Sequence, residues 1–133
     1  MANVGALYEK AALDFLIKGS TANLPAAWTL ALGSAAPASA SVVATWEIGT
    51  GSGYSCQTLI FPPASSPAGT ATNTASLVFG PFSSAQTISG MVLKDTSATA
   101  GNIIFYGTLA TPRTVGAGDT ISFPIGSLTA SLA

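Results

Sequence analysis

The pattern of hydrophobic and polar positions changes period once, near Gly19. Before it, Val4 to Lys18 has no proline and consists mostly of good helix formers. Val4, Leu7, Tyr8, Ala11 and Phe15 fall on one helical face, while Leu13, Leu16 and Ile17 lie away from it. The predicted helix, about 4–18, is therefore apolar around most of its girth, interrupted by Glu9, Lys10 and Asp14. Gly19 stands where a helix should stop. Such a helix suits two partners, its own sheet and a neighbouring subunit; one wide core contact is the other reading.

Beyond Gly19 the pattern is that of short strands separated by glycine, proline and serine. Strands are predicted at 26–32, 41–48, 54–61, 74–79, 87–93, 102–109, 120–125 and 128–132. The stretch from Asn102 to Leu109 is apolar on both faces and reads as central. Segments 33–39, 64–72, 94–101 and 112–118 read as loops or connections, and Gly49 to Gly53 as a turn. Eight strands after one helix predict a mainly β chain, a jelly-roll-like antiparallel β-sandwich over about 26–133, within a single domain spanning 1–133.

Composition narrows the function. Alanine, glycine, serine and threonine make up 70 of the 133 residues, and charged residues only 7%. Four basic residues are too few for a surface that tracks phosphates, so no nucleic-acid partner is expected. The chain has no histidine and one cysteine, which argues against a metal site. Neither a signal peptide nor a membrane span is evident, so no membrane partner is expected. The net charge is −1, and Glu47 is the only charged residue between Gly19 and Leu93. So weakly charged an exterior offers little protection against self-association, which favours a surface that meets other protein.

Candidate chemistry is sparse. Gly49-Thr50-Gly51-Ser52-Gly53 lacks the Lys-Ser/Thr ending of a phosphate loop. Sixteen serines have no histidine base beside them, and the five carboxylates flank strands and turns. No enzyme activity and no cofactor are expected. Trp28, Trp46, Tyr54 and Tyr106 are core candidates that could alternatively make a sugar-stacking platform.

The order of several short motifs resembles a family of small tailed-phage structural proteins, described as head decoration (cement) or tail fibre-like proteins. The motifs are the leading Tyr8-Glu9-Lys10 to Phe15-Leu16, then Trp28-Thr29-Leu30-Ala31-Leu32 and Gly51-Ser52-Gly53-Tyr54. Gly101-Asn102-Ile103-Ile104-Phe105-Tyr106-Gly107 follows, with Ala117-Gly118-Asp119-Thr120-Ile121-Ser122-Phe123 and Gly126-Ser127-Leu128-Thr129 closing the chain. Cys56 stands where the family ordinarily has a basic residue.

The resemblance implies a virion structural protein made in the bacterial cytoplasm. The main expectation is a cement protein on the outer capsid surface, a homotrimer bound across subunits of the major capsid protein. The absence of a fibrous segment or heptad run favours it. The alternative is a tail fibre or tail-associated protein that binds a host surface glycan. Oligomer or capsid contacts are expected at Leu7, Tyr8, Phe15 and Leu16 of the helix and at Pro62, Pro63, Ser65 and Ser66 of the following loop.

Overall fold

A computed structural model describes residues 3–20, 25, 27–38, 43–59, 61, 69–95 and 101–131. The expected contacts Pro62, Pro63, Ser65 and Ser66 lie outside the described residues. The chain is mainly β and antiparallel, with helix α1 (Ala6–Lys18) near its start.

Nine strands are described: β1 (Asn3–Val4), β2 (Thr29–Gly33), β3 (Gln57–Thr58), β4 (Thr70–Thr72), β5 (Leu77–Phe79), β6 (Gln86–Lys94), β7 (Ile103–Val115), β8 (Ile121–Phe123) and β9 (Thr129–Ser131). They form a five-stranded sheet in the order β1-β7-β6-β2-β3 and two ladders, β4-β9 and β5-β8. The hairpin of β6 and β7 is the spine of the large sheet.

Alternation along the central strands sorts their side chains into two clusters. Leu30, Leu32, Ile88, Leu93 and Ile104 enter the main core with Tyr54, Phe79 and Phe82. Val92 and Ile103 enter a smaller cluster on Val43 and Trp46. Strand β2 is buried at every residue because both of its faces are covered.

The covering element on the second face is α2 (Val43–Trp46), where the sequence pattern predicts a strand over 41–48. A single helical turn puts Val43 and Trp46 on one side, so both reach the second cluster; a strand would send them to opposite faces. Residues 41 and 42 lie outside the described set.

Three other expectations need correcting. The predicted strand 54–61 is reduced to Gln57–Thr58, since Tyr54 turns into the core instead of pairing. Within the predicted loop 64–72, Thr70–Thr72 forms β4 against Thr129–Ser131. The predicted connection 112–118 is strand as far as Val115. Pro112 is tolerated there because β7 carries extra residues between Thr108 and Arg113, where the register against β6 breaks.

Helix α1 begins at Gly5, whose N–H donates to Ile104 O at 2.8 Å. A Cβ at Gly5 would collide with the Ile103 carbonyl, so only glycine lets the helix start this close to β7. It ends at Gly19, which is left-handed at φ 65° and donates to Phe15 O. Tyr8 and Ala11 are its buried residues.

Candidate functional site

Polar and apolar groups gather in three places. The first is inside the fold. Lys94 ends β6 fully buried, and its Nζ donates to Glu47 Oε2 at 2.7 Å. Tyr54 Oη donates to Glu47 Oε1 at 2.6 Å and accepts from Leu32 N–H at 3.0 Å. Burial raises the Tyr54 hydroxyl far above its ordinary pKa, and the hydrogen bond to Glu47 adds to this. The arrangement is a closed structural network in which each carboxylate oxygen already has a donor. Its sequence signal is that Glu47 stands as a lone charge in a long uncharged stretch. Once folding buries such a charge, it needs a partner of opposite sign.

The second place is an open trough of about 760 Å³ beside β7 and β8. Arg113, Thr114, Thr120 and Ser122 line it with exposed polar side chains, and Leu109 and Phe123 supply half-buried apolar ones. Asp119 also faces it, although its Oδ2 accepts from Gly116 N–H at 2.8 Å and so braces the turn before β8. Such a mix of one guanidinium, one carboxylate, hydroxyls and a ring suits a polar ligand with an apolar face. These residues come together only through the pairing of β7 with β6 and β8 with β5, and no spacing in the sequence announces them.

The third place is the exposed surface of α1. Leu7, Leu13, Phe15, Leu16 and Ile17 are all exposed, Leu16 at 76%. Of the helix contacts expected from sequence, Leu7, Phe15 and Leu16 are thus available to a partner. Tyr8 is not: it is buried, with its Oη donating to Asp95 Oδ2 at 2.6 Å, and it anchors α1 to the end of the β6-β7 hairpin. A tyrosine with an apolar ring and a polar tip fills that role because its ring can enter the core while its hydroxyl meets a carboxylate.

The aromatic platform considered from sequence is not assembled. Tyr54 is in the main core, and Trp46 and Tyr106 pack against the second cluster. Trp28 is 45% exposed before β2.

No curated protein matches the chain. The sequence pattern of a family described as podophage GP4 fiber I protein gp80 matches residues 3–131, and so takes in α1, both hydrophobic clusters and the trough. A match of that extent reaches every element from β1 to β9, and the chain belongs to this fibre-protein family of bacteriophage virion structural proteins.

Proposed function

We propose that the chain is a tail fibre-associated subunit of the virion, acting by protein–protein packing and without a catalytic centre. One observation carries this reading: the family matched over nearly the whole chain is described as a fibre protein. The same observation favours the tail over the capsid surface, so the fibre alternative displaces the cement role as the preferred one. The closed Glu47–Lys94–Tyr54 network is consistent with it, because the buried ionisable groups are committed to one another.

The test is location in the particle. Gold-labelled antibody against the chain should mark the tail region in electron micrographs of intact phage. Label spread over the head would return the cement reading, with the major capsid protein as partner.

A second reading, recognition of a host surface glycan by the same fibre subunit, is favoured by the trough around Arg113. A guanidinium, a carboxylate, hydroxyls and the Phe123 ring lining one trough fit a saccharide, whose hydroxyls can both donate and accept. Arg113→Ala should then abolish binding of the purified protein to host envelope polysaccharide while leaving its melting temperature unchanged. Equal binding by wild type and variant removes this second reading and leaves the first intact.

A further inference from the structure

Charge is scarce in this chain, so a charge left free is informative. Of its four basic and five acidic residues, Glu9, Lys10, Asp14 and Lys18 belong to α1. Glu47 and Lys94 close on one another inside the fold, and Asp95 accepts from Tyr8 and Asn102. The remaining two, Arg113 and Asp119, have opposite signs and line the same trough. They do not pair with each other: the ion pairs among the described residues are Lys10–Asp14 and Lys94–Glu47.

Both charges are held in place by the backbone around them. Arg113 follows the irregular stretch of β7 after Thr108, where extra residues bend the strand and re-aim the side chain that comes next. Asp119 is fixed twice. Its Oδ2 accepts from Gly116 N–H at 2.8 Å, and its backbone carbonyl accepts from Phe82 N–H at 2.9 Å. Among the described residues, Asp119 Oδ1 receives no hydrogen bond and the Arg113 guanidinium gives none. The Phe123 ring in the same lining is itself steadied, edge-on to Phe79 with centroids 5.9 Å apart.

A free carboxylate oxygen only accepts, and a guanidinium only donates. Set apart in one trough, they select a ligand by its charge. An anion drawn to Arg113 meets the Asp119 carboxylate, and a cation drawn to Asp119 meets Arg113. An uncharged polyol is opposed by neither, since each of its hydroxyls can donate to Oδ1 or accept from the guanidinium. The apolar face of a pyranose ring suits Phe123. We infer that the trough takes an uncharged saccharide and that Asp119, through its free oxygen, excludes acidic sugars. This rests on the saccharide reading of the trough and adds to it the charge class of the sugar and the residue that sets it.

The test is an immobilised array on which oligomers of glucose, galactose and mannose stand beside oligomers of the matching uronic acids, which differ only at C6. The purified full chain should bind a neutral oligomer about tenfold or more tightly than its uronate counterpart. That preference is read on the wild type, without any variant. Asp119→Asn keeps an oxygen for Gly116 N–H and removes the negative charge. Its melting temperature should be unchanged, and its preference should fall to parity or reverse. Wild type that binds uronates as tightly as neutral oligomers overturns the inference and leaves the saccharide reading standing. So does a folded Asp119→Asn variant with the wild-type preference. Binding to neither class overturns the inference together with the saccharide reading.

Discussion

Lys94 Nζ and Glu47 Oε2 lie 2.7 Å apart in the interior, joining the end of β6 to the residue that follows α2. Both side chains are almost wholly withdrawn from water, at 0% and 7% exposure. A buried pair contributes little net stability compared with apolar residues of the same volume, but removing one member strands the other charge. Glu47→Ala should therefore destabilise the chain by about 3–5 kcal/mol in urea unfolding. Glu47→Leu combined with Lys94→Met should recover part of that loss, the remainder being the buried Tyr54 hydroxyl left without its acceptor. A double variant as unstable as the single one would show that the stranded ammonium is not the cause.

Asn73 offers a second test in the interior. It is 1% exposed, and its Oδ1 accepts from Leu128 N–H at 2.9 Å while its Nδ2 donates to Ala75 O and Pro124 O. One amide thus satisfies backbone groups of two distant segments and holds the start of β9 beside the end of β4. Asn73→Ala should cost about 1–3 kcal/mol, because it leaves the buried Leu128 N–H without its acceptor and the Ala75 carbonyl without this donor, while Pro124 O keeps the Ser127 N–H and hydroxyl. Asn73→Asp should be equally damaging at neutral pH, since a carboxylate can still accept from Leu128 but repels both carbonyls. Thermal unfolding of the two variants checks this; an unaffected Asp variant would contradict it.

What the sequence revealed, and what it hid, follows from the range of the interactions. Helix α1, its stop at Gly19 and the long strand β6 are local: period, helix propensity and a terminal glycine determine them. The mainly β antiparallel class was legible for the same reason. Residues Val43–Trp46 were not, because β-branched and aromatic residues favour a strand locally while the need to cover Val92 and Ile103 selects a helical turn. Strand β4 was hidden because Thr70–Thr72 has loop-like composition and pairs only through a partner near the far end of the chain. That the helix is apolar on two sides is visible in its period, but that Tyr8, expected as a partner contact, is anchored inside the fold is not. Its pairing with Asp95 spans 87 positions and leaves no periodic trace.

Gly33 lies directly beneath the indole of Trp46, and a Cβ there would overlap ring atoms Cε2 and Cζ2. The ring is held in place by its Nε1–H, which donates to Ala35 O at 2.9 Å. Gly33→Ala should therefore destabilise by about 1–3 kcal/mol, as overpacking does. In a Trp46→Ala background the same change should cost much less. The double-mutant cycle measures this coupling; additive effects would mean that the two residues do not contend for one space.

Asp95 sets the acid limit of the helix–hairpin junction. Partial burial raises its carboxyl pKa, but hydrogen bonds from Tyr8 Oη and from the Asn102 backbone and side chain outweigh burial and hold it below its ordinary value. A carboxyl depressed on folding contributes stability above its unfolded pKa, about 3.9, and loses it as pH falls through the lower folded value. Wild type should therefore exceed Asp95→Asn in melting temperature at pH 7, with the gap narrowing below about pH 4 as the wild-type carboxyl protonates. Tyr8→Phe should narrow the acid dependence from the other side, because it removes one of the donors that lower Asp95. Melting curves of the three proteins from neutral to strongly acidic pH decide the matter. A gap between wild type and Asp95→Asn that stays constant on acidification would show that the junction is held by the packing of Tyr8 alone.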